Sequence, residues 1–179
     1  MYPLSFREFL KIHCVEIKLT GDLDADMGRA SMRENEVKQT FEKYLKTGGF
    51  PLAINDAPRA EEDTIRAFEG EILRARKNIS LVREVLASVF EKAPSPVSYS
   101  TISKDTSGYS YKTVADYLEL LKGLLILDLA NYRRNGKTAY KKEKKVFFLD
   151  PFMANVLSLW SGKNFWRAPF TSGWFSRTC

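Results

Sequence analysis

Between Ser80 and Leu149 the spacing of apolar residues changes from a helical period to a strand period, and this change constrains the fold more than any other feature. Leu81, Val82, Val85, Leu86, Val89 and Phe90 form a wide apolar stripe, the mark of a helix that buries one face. The stripe stops before Pro94-Ser95-Pro96, where the chain loses helical N–H donors. Val97 to Asp105 reads as a short helix centred on Ile102, and Thr106-Ser107-Gly108 as a turn. Ser110 is placed to cap a further helix, on which Val114, Tyr117, Leu118 and Leu121 fall at i, i+3, i+4 and i+7. After Gly123 the period becomes two, with Leu125, Leu127 and Leu129 alternating up to Tyr132. Asn135-Gly136 signals a hairpin turn, Val146-Phe147-Phe148-Leu149 returns as the second strand, and Asp150-Pro151 closes it. Phe152 to Trp160 is expected as a final helix.

Helix, helix, short glycine turn, helix, strand, basic loop, strand is the order of a winged helix-turn-helix. In that arrangement the second and third helices bury their apolar faces on the first, and the hairpin covers the open edge. The outer face of the third helix and the tip of the wing are left to solvent or a ligand. That outer face is expected to show Ser110, Tyr111, Lys112, Thr113, Asp116 and Glu119. Its N-terminal end offers a hydroxyl, an aromatic ring and a cation, whereas its middle is acidic.

Upstream, Ser5 to Ile12 reads as a short helix with Ser5 as N-cap and Phe6, Phe9 and Leu10 on one face. Gly21 to Met32 shows little periodicity and is expected as a loop. A helix from Asn35 carries Val37, Phe41, Tyr44 and Leu45 on one side and stops at Gly48-Gly49, with Pro51 following. Ala60 to Lys77 is a third helical stretch that gathers Ile65, Phe68, Ile72 and Leu73. The chain is thus expected to be α+β and mostly α, with a helical region at 1–78, a winged helix with trailing helix at 79–160, and an irregular tail at 161–179.

Charge singles out one segment. Arg133, Arg134, Lys137, Lys141, Lys142, Lys144 and Lys145 stand against Glu143 alone, an excess equal to the formal +6 of the whole chain. All other bases and acids cancel, so the pI of 9.3 reports the wing and not a generally basic surface. Such a wing suits phosphate contact. Lysine on an exposed hairpin also blocks edge-to-edge strand pairing, and a winged helix also serves as a protein-contact module; both readings stay open.

Several function classes lack their residues. No G-x-x-x-x-G-K-[ST] loop is present to cradle a nucleotide, and neither G-x-S-x-G nor H-E-x-x-H occurs. A single histidine, His13, leaves little room for a Ser/His/Asp triad, and with Cys14 it makes too few ligands for a metal. Asp22, Asp24 and Asp26 alternate without the Gly and terminal Glu of a calcium loop. Glu34 with Glu36, and Glu61-Glu62-Asp63, read as solvated helix faces. Cys14 and Cys179 form neither a disulfide framework nor a zinc spacing, which suits a reducing cytoplasm. No apolar run approaches the ~18 residues of a membrane span, and the N-terminus has charges where a signal peptide needs its apolar stretch. No cofactor and no catalytic activity are expected.

Three stretches together carry a family resemblance. They are Tyr2-Pro-Leu-Ser-Phe-Arg-Glu-Phe-Leu10, Tyr44-Leu-Lys-Thr-Gly-Gly-Phe-Pro51, and Ser95-Pro-Val-Ser-Tyr99 through to Asp150-Pro-Phe152. Within the last, Ser103-Lys-Asp105, Lys112-Thr-Val-Ala-Asp-Tyr-Leu118 and Lys145-Val-Phe-Phe-Leu-Asp-Pro151 match best. In order and spacing they resemble archaeal P-loop ATPases of the AAA type over about residues 1–160. The resemblance implies a helical lid followed by a winged helix, detached from an ATPase core that the chain lacks. It also implies an excised or truncated segment, in which ATP hydrolysis does not carry over.

The function expected from these readings is non-catalytic binding of nucleic acid, duplex DNA foremost, through phosphates and with little sequence discrimination. The expected contact residues are Lys104, Ser110, Tyr111, Lys112 and the seven wing cations Arg133, Arg134, Lys137, Lys141, Lys142, Lys144 and Lys145. The alternatives are a protein-interaction or regulatory module beside an ATPase core, and a remnant without independent activity.

Overall fold

The computed structural model describes residues 3–15, 20–93, 95–134, 137–138 and 143–163, with backbone alone at 30, 133–134 and 137–138. The described chain is α+β and mostly helical. Helix α1 (Phe6–Ile12) opens on a capping box: the Ser5 hydroxyl accepts the Glu8 N–H, and the Glu8 carboxylate accepts the Ser5 N–H at 2.8 Å.

The stretch expected as a loop is instead helix α2 (Leu23–Met32). Its start is local: Asp22 accepts the N–H groups of Asp24 and Ala25, and the Asp26 carboxylate holds the N–H groups of Thr20 and Gly21. Leu23, Met27 and Met32 are all exposed. A helix held by aspartate caps and not by a buried stripe has no apolar period to read.

Helix α3 (Glu34–Thr47) ends at Gly48, whose φ of 56° lies in the left-handed region. Pro51 then opens the single turn of α4 (Pro51–Ile54). On α5 (Ala60–Arg74), Phe68 and Ile72 are buried, but Leu73 is 61% exposed, against expectation. Successive helical positions turn by about 100°, and the core that takes Ile72 does not extend round α5 to Leu73.

Asn78 caps α6 (Ile79–Lys92) by accepting from the N–H groups of Ser80 and Leu81. The stripe Leu81, Val82, Val85, Leu86, Val89 and Phe90 is buried throughout. Helices α7 (Tyr99–Asp105) and α8 (Tyr111–Gly123) follow, and Val114, Tyr117, Leu118 and Leu121 of α8 are all buried. Burying each such side chain contributes about 1.5–3 kcal/mol.

Strand β1 (Leu127–Asn131) begins two residues later than the leucine alternation suggests. Leu125 has a φ of 59°, and its N–H and that of Ile126 return to Lys122 and Leu121 to close the end of α8. The chain continues through β2 (Arg133–Arg134), β3 (Lys137–Thr138) and β4 (Lys144–Phe148) to α9 (Pro151–Trp160). β1 pairs antiparallel with β4 from Leu127↔Phe148 to Asn131↔Lys144, and β2 pairs with β3. Tyr132 alone separates β1 from β2.

One buried cluster joins Ala53, Phe68 and Ile72 to α6–α8, both long strands and α9. The boundary expected at residues 78–79 therefore falls inside a shared core. Within it, Phe90 stacks on Phe148 with ring centroids 4.4 Å apart and planes 3° from parallel.

Candidate nucleic-acid interface

The turn between α7 and α8 is held from α6. The Ser88 hydroxyl and the Lys92 ammonium both donate to Asp105, which keeps that carboxyl below its usual range, Lys92 being the larger cause. Glu84 accepts the Ser107 N–H at 2.8 Å, and the Ser103 hydroxyl donates to the Tyr109 carbonyl at 2.6 Å. Gly108, with a φ of 80°, makes the turn itself. These contacts set the direction in which α8 leaves.

Ser110 caps α8 by accepting the Thr113 N–H at 3.2 Å. Its hydroxyl is therefore engaged in the helix start, yet the residue is exposed, as are Tyr111, Lys112 and, on the last turn of α7, Lys104. Lys112, Asp116 and Glu119 lie at i, i+4 and i+7 and make the exposed face of the helix. One cation is followed there by two acids. Lys122, one turn further, is bound to Asp128 at 3.0 Å, and that hydrogen bond raises its pKa.

The hairpin is tied to the helices at its base. Val97, just before α7, exchanges both backbone hydrogen bonds with Lys144 at 2.9 Å, an isolated antiparallel bridge to β4. Nothing in the sequence marks Val97 for this pairing, because one bridge leaves no alternation to read.

Lys144 departs from expectation. It is 7% exposed, with its ammonium 4.3 Å from the centre of the Tyr99 ring. Burial pushes its pKa down, partly offset by the charge of Glu119. The side chain of Lys144 lies on the face of β4 that Tyr99 covers, so Lys144 is not an outward-facing cation of the hairpin. Lys145, the next residue, points the other way and is exposed.

Arg133 and Arg134 stand on β2 and Lys137 on β3, in the register Arg133↔Thr138 and Arg134↔Lys137. Lys141, Lys142, the Asn135-Gly136 turn and tail residues 164–179 lie outside the described residues. The described contacts thus fall into two sets: Lys104, Ser110, Tyr111 and Lys112 around the helical turn, and Arg133, Arg134, Lys137, Lys144 and Lys145 on the strands. Tyr132, missed as a candidate, sits 53% exposed where the two ladders separate. Its place directly before Arg133-Arg134 was the available signal.

A second constellation is structural. Asp150 is fully buried and accepts three backbone N–H groups, from Phe152 at 2.9 Å, Met153 at 3.2 Å and Gly49 at 2.6 Å. Burial pushes its pKa up to about 6 against the lowering effect of those three donors. Leu4 donates its N–H to the Gly49 carbonyl at 3.0 Å and accepts the Tyr44 hydroxyl at 3.1 Å. Segments from all three resemblance stretches meet here. A cavity of about 400 Å³ lies by Phe152, but its lining mixes Lys46 and Arg59 with Asp56, Glu61 and Glu62, charges of both signs that nearly balance and select no ligand.

Among the described residues no helix is long and apolar enough to cross a membrane, and no group of three or more His, Cys, Asp or Glu is placed to hold a metal ion.

The chain is similar to Uncharacterized protein MJ1637 of Methanocaldococcus jannaschii, at 28% identity over 135 residues. The match covers 70% of this chain but only 28% of that protein's length. No solved structure matches. The family model described as a domain of unknown function (DUF8612) matches residues 38–164, most of the chain, and the chain therefore belongs to that family.

Proposed function

We propose that this chain is a non-catalytic nucleic-acid-binding segment of winged-helix type, and that it holds phosphates through the hairpin cations and the N-terminal end of α8. The observation that carries the reading is charge. The whole formal excess of +6 is confined to residues 133–145, a segment whose β4 end is hydrogen-bonded to Val97 just before α7. Lys104, Lys112, Arg133, Arg134, Lys137 and Lys145 supply the cations, joined by Lys141 and Lys142. Each phosphate neutralised releases condensed counterions, so binding of this kind weakens steeply as salt rises. The acids Asp116 and Glu119 keep the middle of α8 away from base edges, which accounts for weak sequence discrimination.

A second reading is favoured by a different observation. The chain spans 28% of the length of its archaeal relative, and Leu23, Met27 and Met32 of α2 are exposed. A module that docks on another part of a larger protein, an ATPase core in the family the sequence resembles, would use such surface. Titrating labelled DNA at about 50 and 200 mM salt separates the two readings. Affinity that falls by an order of magnitude or more supports phosphate binding; absence of binding at the lower salt supports docking.

A further inference from the structure

Resting on the nucleic-acid reading, we infer that this site takes single-stranded nucleic acid in preference to duplex, with Tyr111 and Tyr132 as stacking platforms beside the phosphate-binding cations. Among the described residues, these two are the aromatic members of the exposed large apolar side chains, at 54% and 53%. Both fall in the candidate interface. The other described tyrosines are engaged in the fold. Tyr44 and Tyr117 are buried with bonded hydroxyls, Tyr99 lies under Lys144, and Tyr109 packs against the core. Tyr111 sits at the first position of α8, off the buried stripe and next to Lys112. Tyr132 stands between β1 and β2, next to Arg133-Arg134.

An exposed ring beside a cation is the unit from which single-strand sites are built. Every base has a π-face to stack, while the cations track the backbone. A duplex hides those faces and must be read by inserting an element into a groove. Here the element available is α8, whose outer face presents Asp116 and Glu119 after Lys112, with Lys122 already bound to Asp128. Two carboxylates carried into a groove walled by phosphates would be repelled and stripped of water. A single strand lying across the N-terminal end of α8 and the hairpin base avoids them.

The test uses the whole chain and three fluorescent probes of one mixed sequence, about 20 nucleotides long: a DNA strand, an RNA strand and the DNA duplex. Anisotropy titrations at about 50 and 200 mM salt give each affinity. Either single strand binding at least about tenfold tighter than the duplex supports the inference, and the tighter of the two identifies the polymer. Tyr111→Ala and Tyr132→Ala are each expected to weaken single-strand binding by about 5- to 100-fold, with Tyr→Phe at either position retaining it. Both side chains are exposed, so the variants fold, which circular dichroism verifies. Duplex affinity equal to or above that of the strands, or alanine variants indistinguishable from the parent, overturns the inference and leaves phosphate binding standing. Absence of salt-sensitive binding to all three probes overturns the underlying reading itself.

Discussion

The carboxylate of Asp150 accepts the backbone N–H of Gly49 at 2.6 Å across a sequence separation of 101 residues. The same carboxylate caps α9, so one side chain fixes the start of the last helix and the end of α3 together. Gly48 and Gly49 are required for this approach. A Cβ on Gly48 would meet the Asp150 carboxylate, and one on Gly49 would meet the backbone of Leu4.

Gly49→Ala is therefore expected to destabilise the chain by about 3 kcal/mol or more, since the clash is with backbone that cannot step aside. Gly70→Ala makes the control. Gly70 lies within α5 with open space around it, and the substitution should stabilise by about 0.5–1 kcal/mol. Urea unfolding of both variants checks the pair. A Gly49→Ala protein as stable as the parent would mean that Leu4 does not sit against Gly49.

The buried Asp150 also sets a pH dependence. Its pKa is about 6 in the folded state against an ordinary 3.8, so folding favours its protonated form. The associated stability is fully present below about pH 4 and is lost as the pH rises through about 6. Two pH units correspond to at most about 3 kcal/mol. Asp150→Asn removes the titration, so the stability of the parent relative to this variant should fall between pH 4 and 6.5, measured by urea unfolding at each pH. A flat or rising difference would show that the three N–H donors outweigh burial.

On α8, stability and binding should separate. Leu118 is 1% exposed, and Leu118→Ala should cost about 2–5 kcal/mol of folding as a buried deletion. Lys112 is exposed, and Lys112→Ala should change stability by under about 0.5 kcal/mol. It should weaken nucleic-acid binding about fivefold if its ammonium meets a phosphate. Thermal unfolding and anisotropy on the same samples read both effects. A Lys112→Ala protein that loses stability but keeps full affinity would contradict the assignment.

Lys144 and Lys145 make a neighbouring pair with opposite expectations. Lys144→Ala should lower stability by about 1 kcal/mol through lost packing of its stem over Tyr99, with the salt slope of binding unchanged. Lys145→Ala should leave stability unchanged and flatten the slope by about 0.7 on a single strand, or about 0.9 on a duplex, if it neutralises one phosphate. Finding the slope altered by the first substitution and not the second would reverse the inward and outward positions of the two side chains.

The α6–α9 half was legible in the sequence because its elements bury whole faces. A helix that hides one side must repeat apolar residues at about 3.6, and Val114, Tyr117, Leu118 and Leu121 do so without a gap. Ser5 and Ser110 were legible as caps for an equally local reason, since a cap needs only its own side chain and the next turn. Where burial is not the cause, the pattern misled. α2 forms on aspartate caps, with its leucine and methionines exposed. Leu125 alternates with Leu127 but belongs to the left-handed turn that closes α8.

The candidate site was legible as composition and not as geometry. Sequence by itself determined that the charge excess lies in one segment, residues 133–145, and that Ser110, Tyr111 and Lys112 stand off the buried stripe, because both follow from residue order and helical period. Only the tertiary structure decided which of two adjacent lysines reaches solvent. That depends on which face of β4 Tyr99 covers, a contact between residues distant in sequence that leaves no periodic trace. The same holds for Asp150 and Gly49. Each reads locally as a helix boundary, and their joining across 101 residues exists only once the core has brought α3 against α9.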